Sequence, residues 1–174
     1  MMLGSYINQE LRSDHAGEVG AVQIYRGIKA VASLRGDHEL MRFADAHGAV
    51  EQQHLIMMEK LVPAEQRSRL QVPWQIAGWL TGAVPALFGR DTVYATIQAV
   101  ETFVDQHYQQ QIDQLSPYPE HNNLVGLLKQ CQQDEVHHRD DAASRIESTN
   151  PALKLWANLI DIGSKAAVSV CRKI

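Results

Sequence analysis

Four stretches of helical periodicity each carry a glutamate in the middle of an otherwise largely apolar stripe, and the four stretches fall into two matching pairs. In the first, Leu11, His15, Glu18, Val22 and Tyr25 recur at spacings of three and four, which places them on one helix face. In the second, the stripe runs through Phe43, His47, Val50, Glu51, His54, Met58 and Leu61. The third holds Ile97, Glu101, Val104 and Tyr108, and the fourth Leu128, Cys131, Glu135, His138, Ala142 and Ile146. Such faces turn towards a core, where a carboxylate is costly unless it is paired or bound to a metal. Any fold open to this chain must bring these charges to something that neutralises them.

The spacing says how. Glu18 precedes Glu51 by 33 residues, and Glu101 precedes Glu135 by 34. The two Glu-x-x-His units, Glu51/His54 and Glu135/His138, are offset by 84 residues and the lone glutamates by 83. With ten glutamates and eight histidines in 174 residues, about 0.5 Glu-x-x-His pairs arise by chance, so one such motif says little without context. Two helix pairs carrying one constellation say more. A pseudo-twofold bundle would gather Glu18, Glu51, His54, Glu101, Glu135 and His138 into the ligand set of ferritin-like di-iron and di-manganese proteins. Four carboxylates neutralise most of the charge of two divalent metals, and two imidazoles leave positions open for oxygen and substrate. Glu51 and Glu135 are expected to bridge, His54 and His138 to bind one metal each, and Glu18 and Glu101 to be terminal.

Other polar residues near these stripes are weaker signals. Asp134 and His137 repeat the i, i+3 spacing, but the 84-residue offset puts Val50 and Gln53 at their twin positions, so His137 is expected to be exposed. His47 either supports the ligands or packs the core. His15, one turn before Glu18, and His107, six residues after Glu101, each admit two readings: a ring that orients a ligand or moves a proton, and an ordinary structural histidine. His38 and His121 stand at helix starts and need no function.

The periodicity predicts helices over about 6–34, 37–61, 91–115, 120–147 and 151–170. Arg35-Gly36 ends the first, Asp37 caps the second, Pro63 stops it, Asp91 caps the third, and Asn150-Pro151 opens the last. Between the pairs lies an apolar stretch, residues 70–90, interrupted by Pro73, Gly78, Gly82, Pro85 and Gly89. It is marginal against the ~20 apolar residues of a bilayer span and reads as interfacial or buried. The expected architecture is a single all-α domain over 1–174: a ferritin-like four-helix bundle with an apolar helical insert and an extra C-terminal helix at 151–171.

Composition narrows the function. Apolar residues make up 45% and charged residues 21% of the chain, as in a globular domain. A net charge of −4 without a run of like charges gives no basic footprint for nucleic acid. Cys131 and Cys171 lack CxxC spacing and read as small buried hydrophobes. The first residues show no basic stretch followed by an apolar run, so no secretory signal is expected. No Gly-x-Gly-x-x-Gly fingerprint marks a dinucleotide site.

At these residues the chain resembles the demethoxyubiquinone hydroxylases of ubiquinone biosynthesis. The resemblance runs from about Leu11 to the C-terminus. It is carried by LRSDHAGEVGAVQIYRG at 11–27, EQQH at 51–54, VPWQIAGWLTGAVPALFG at 72–89, VETFVDQHY at 100–108 and DEVHH at 134–138. The His-Ala-Gly-Glu-x-Gly-Ala motif is specific to that family, whereas ferritins and rubrerythrins share only the ligand logic.

The resemblance places the six ligands on the same six positions, with two iron ions per chain. It implies that His107 and Tyr108 relay protons or electrons beside the metals. Gly17 and Gly20 flank the ligand Glu18, and close approach of another helix is expected to explain glycine there. It implies O₂-dependent hydroxylation of a demethoxyubiquinone ring, with NADH as electron donor and a prenylated quinone as substrate. The insert (Trp74, Trp79, Leu80, Val84, Leu87 and Phe88) would then touch a membrane surface, with the last helix (Leu153, Trp156, Leu159, Ile160, Ala167, Val168) beside it, on the cytoplasmic face of a bacterial inner membrane. A homo-oligomer or a complex with other ubiquinone-biosynthesis proteins stays open. Arg139 directly after His138 departs from the family pattern. The rival reading is a ferritin-like di-iron oxidase or peroxidase without hydroxylase activity.

Overall fold

The computed structural model describes residues 3–174; the first two residues, where the reading of a start without a leader begins, lie outside them. The described residues contain no strand. Six helices follow one another: α1 (Leu3–Arg35), α2 (His38–Leu61), α3 (Gln71–Phe88), α4 (Arg90–Leu115), α5 (Asn122–Ser144) and α6 (Pro151–Cys171), with short 3₁₀ turns at Ala64–Gln66 and Pro119–His121. The all-α, ferritin-like class expected from the sequence is the one observed.

The chain forms two compact units, residues 1–93 with 166–174, and residues 94–165. In the first, α1 ends at Gly36, whose φ of 67° suits a residue without a Cβ. Asp37 then caps α2 by accepting a hydrogen bond from the Leu40 N–H at 3.1 Å, as such residues do. The same carboxylate takes two bonds at 2.9 Å from the Arg90 guanidinium, which also reaches Glu39. The Arg90 contact holds Asp37 below the usual carboxylate range and fastens the start of α4 to the start of α2. Arg172, just past α6, bonds the buried Glu10 of α1 at 2.9 and 3.1 Å. Ile28 of α1 and Leu40, Phe43 and Met58 of α2 are buried; burying each side chain fully contributes about 1.5–3 kcal/mol.

The apolar stretch is one continuous helix, not the broken segment expected from its prolines and glycines. Pro73 sits in the first turn of α3, where its missing N–H would find no partner anyway. Gly78 and Gly82 do not interrupt α3; they seat it. A Cβ on Gly78 would fall on the Gly20 carbonyl oxygen, one on Gly82 on that of Ile24, and one on Gly27 on that of Trp79. α1 and α3 therefore run parallel with their backbones nearly touching. Arg35, in the last turn of α1, donates to the Ala86 and Leu87 carbonyls at 2.9 and 2.7 Å, meeting acceptors that a helix end leaves unpaired. Gly20 is thus explained by close approach, but Gly17 is not: a Cβ there meets nothing within 4 Å.

With its small residues turned inward, α3 exposes Val72, Ile76, Trp79, Leu80, Leu87 and Phe88, the last at 76%. Trp74, expected on that outer face, is half-buried and donates from Nε1 to Ser68 Oγ at 3.0 Å. No helix among the described residues is long and apolar enough to cross a membrane.

In the second unit α4 and α5 run antiparallel. Asp105 accepts from Gln132 at 2.8 Å and from Arg139 at 2.7 Å, so Arg139, unusual in the sequence, ties α5 to α4 one residue past His138. Trp156 of α6 donates to Thr96 of α4 at 2.7 Å. The exposed large apolar residues of α6 are Leu155, Leu159, Ile162 and Val170, of which only Leu159 belongs to the set expected there. Several boundaries differ from expectation: α1 begins about three residues early, at Leu3. α4 begins one residue before Asp91, which lies in its first turn and not at its cap. α5 spans Asn122–Ser144 and is three residues shorter than expected at its end. Asn150 does cap α6, accepting from the Leu153 N–H at 3.0 Å. Cys131 and Cys171 are buried and form no disulfide; burial pushes the Cys171 thiol up to about 11.

Candidate functional site

Each unit carries one half of the predicted ligand set. In the first, Glu18 comes from the middle of α1, and Glu51 and His54 come from α2, which runs antiparallel to it. All three are buried. A ligand atom from each lies within 4.8 Å of the others, and His54 Nδ1 stands 3.9 Å from Glu18 Oε2 and from Glu51 Oε2. The i, i+3 spacing of Glu51 and His54 puts both on one face of α2, and the antiparallel crossing brings Glu18 opposite them.

The second unit repeats the arrangement. Glu101 of α4 and Glu135 and His138 of α5 are buried. They too offer ligand atoms within 4.8 Å of one another, with His138 Nδ1 3.4 Å from Glu135 Oε2. Two carboxylates and an imidazole held this close in a dry interior suit a divalent cation. The carboxylates repel one another there, and a cation converts that cost into binding energy. Oxygen and imidazole donors without a thiolate fit iron or manganese better than a soft metal.

The remaining sequence candidates separate clearly. His47 packs: its ring lies 4.5 Å from that of Phe43 and 6.0 Å from that of Tyr25. His107 is buried and stacked on Phe103, with ring centroids 5.8 Å apart and planes 10° from parallel. Tyr108 is more deeply buried and lies two turns from Glu101 on the same face of α4, with its ring 6.4 Å from that of His107. His137 is exposed, as expected for a residue off the ligand face. His15 is buried, and neither of its ring nitrogens has a hydrogen-bond partner in the protein; it does not orient Glu18 through a hydrogen bond.

Sequence reasoning passed over Arg67 and Ser13. Arg67 folds back onto the end of α2, donating to the Val62 and Glu59 carbonyls at 3.1 and 2.9 Å. Ser13 is a buried hydroxyl without a partner. Arg67 sits in no periodic stripe or motif, and Ser13, although inside the 11–27 segment, lies off its stripe, so neither stood out as a candidate.

Comparison with known proteins adds a family. Residues 5–171 match the family described as "Ubiquinone biosynthesis protein COQ7". A protein of Rhodospirillum rubrum named 3-demethoxyubiquinol 3-hydroxylase is 33% identical over 172 residues, covering 97% of this chain and 78% of that protein. Proteins of Dictyostelium discoideum and Caenorhabditis elegans, both named NADPH-dependent 3-demethoxyubiquinone 3-hydroxylase, mitochondrial, are each 31% identical. These matches cover 97% of this chain and 77% and 90% of the relatives.

Proposed function

The chain belongs to the COQ7 family of ubiquinone biosynthesis proteins, and from that premise we propose that it hydroxylates the ring of a demethoxyubiquinone-type substrate, with O₂ supplying the oxygen atom. The observation that carries the reading is the pair of buried Glu–Glu–His clusters, one in each unit, at positions that repeat with the same spacing. In this reading the six residues hold two iron ions per chain.

Glu18, Glu51 and His54 would hold iron in the first unit, and Glu101, Glu135 and His138 in the second. Iron bound there supplies O₂ activation, a chemistry that these side chains lack. The protein's part is to hold the ligands in fixed rotamers in a dry interior, where charge interactions are strong, and to keep water away from the oxidant. His107 is positioned to move a proton: Phe103 stacks against its ring and fixes it, and Tyr108 beside it offers a phenolic O–H. Electrons come from a reduced nicotinamide, NADH as the family resemblance implies and NADPH in the names of eukaryotic relatives, delivered without a glycine-rich dinucleotide loop.

The prenyl tail of such a substrate does not cross water, and the outer face of α3 gives it an apolar surface. The chain in this reading is peripheral, on the cytoplasmic face of a bacterial inner membrane, with α3 at the interface. Tryptophan and phenylalanine on a helix that does not span suit that place. Replacing Trp79 and Phe88 with serine should lower the protein's partition constant onto phospholipid vesicles at least about a hundredfold, since the two large side chains contribute ~1.5–3 kcal/mol each and every 1.4 kcal/mol is about tenfold. Unchanged co-sedimentation would remove α3 from the interface.

The deciding experiment is mass spectrometry of a demethoxyubiquinone analogue after incubation with iron-loaded protein, a reduced nicotinamide and ¹⁸O₂. One labelled oxygen in the product is expected. Unlabelled, unchanged analogue from protein holding two irons per chain would favour a ferritin-like oxidase.

A further inference from the structure

One turn of α1 before Glu18 lies a buried group that the chemistry above leaves unused. His15 is 1% exposed and shares a helix face with Glu18. Its two ring nitrogens have no partner in the protein, although a neutral imidazole carries one N–H donor and one lone-pair acceptor. Buried polar groups nearly always meet a partner, so this ring is built to meet something other than the chain.

The surroundings disfavour the charged form of the ring. Burial first, then the Arg67 guanidinium, push its pKa below the ordinary 6.5, while Glu59 works against them. Arg67 is fixed by its bonds to the Val62 and Glu59 carbonyls. Arg12 of α1 donates to the Gln66 carbonyl at 2.9 Å and pins the 62–70 connection against the helix. His15 is thus enclosed by α1, the end of α2 and a connection held at both ends. Ser13 also has a buried hydroxyl without a partner, but two residues along a helix place it on another side of α1.

We propose that His15 is a substrate-binding residue whose imidazole hydrogen-bonds an oxygen on the aromatic ring of the bound quinone. The proposal rests on the hydroxylase reading above and deepens it. One helical turn is about 5 Å, comparable with the distance between the two oxygens across a quinone ring. A ring bonded at His15 therefore presents its far edge to the Glu18, Glu51 and His54 cluster. A neutral imidazole also suits both redox states of the substrate: its N–H donates to a quinone carbonyl, and its lone pair accepts from a quinol hydroxyl.

The test is an anaerobic titration of iron-loaded wild type, His15→Gln and His15→Leu with a short-tailed demethoxyubiquinol, followed by tryptophan fluorescence, with iron content and far-UV circular dichroism measured alongside. His15→Leu should bind about tenfold more weakly, the scale of one hydrogen bond, with its iron unchanged. His15→Gln should recover most of the loss, because its amide keeps a donor and an acceptor. A phenyl ring bearing the same tail but no oxygens should bind all three proteins alike.

Equal quinol affinity in all three proteins overturns the proposal and leaves the ring to water. Should His15→Leu not fold, His15→Gln and His15→Asn decide. The shorter amide is expected to bind more weakly, and wild-type affinity in both overturns the proposal. Wild type that hydroxylates while His15→Leu binds normally removes only this inference. Wild type that does not bind the quinol at all removes the hydroxylase reading and this inference with it.

Discussion

Replacing Glu135 with alanine should strip iron from the protein and abolish ring hydroxylation while leaving the helices formed. The carboxylate is buried in the middle of α5, with ligand atoms of Glu101 and His138 within 4.8 Å. Even the outer partners of metal ligands cost 10–100-fold in affinity or activity when removed, so a direct ligand should cost at least about a hundredfold. The fold has little reason to fail. Alanine is the best helix former, and α5 keeps its Arg139–Asp105 tie to α4. Without metal, the variant also loses the repulsion between two buried carboxylates and should melt no lower than metal-free wild type. Iron per chain, labelled product and a thermal melt measure the three parts separately. Full hydroxylation by the variant would sink the assignment of the ligands.

The second large effect is expected far from any ligand. Gly82→Val should unseat α3. The added Cβ falls on the Ile24 carbonyl oxygen, which belongs to the backbone of α1 and cannot swing aside as a side chain can. Overpacking costs typically 1–3 kcal/mol, and a clash of backbone against backbone belongs at the upper end. At ~2–4 °C per kcal/mol for a chain of this size, the melting temperature should fall by roughly 6–12 °C, and α3 should become more sensitive to protease. Gly163→Ala is the control. It lies in α6 with nothing within 4 Å of its Cβ position, so the change should stabilise the helix by up to about 1 kcal/mol. A Gly82→Val protein that melts like wild type would mean that α1 and α3 do not touch as described.

Helix ends were legible where one residue type does the work alone. Gly36 supplies a positive φ, Asp37 and Asn150 supply capping oxygens, and Pro63 lies just beyond the end of α2. The six ligand candidates were legible because burial, charge and spacing coincide at each. The continuity of α3 was not. Glycine reads as a breaker when the sequence is taken alone, and only the neighbouring backbone reveals Gly78 and Gly82 as a seat. Nor was the setting of His15 legible, because it depends on Arg67 and on a connection whose path comes from contacts with α1 and α2.

Fastening and display fall to different atoms of α3. Its hold on α1 runs through main-chain contact at glycines and through the Arg35 bonds to its last carbonyls, whereas Val72, Ile76, Leu80, Leu87 and Phe88 point outward. The outer face is therefore interchangeable: a descendant chain can redraw it for another tail length or another surface without renegotiating its core. Divergence should accordingly concentrate in those outward positions, while the two glycines, invisible from outside, set the limit on what α3 can become.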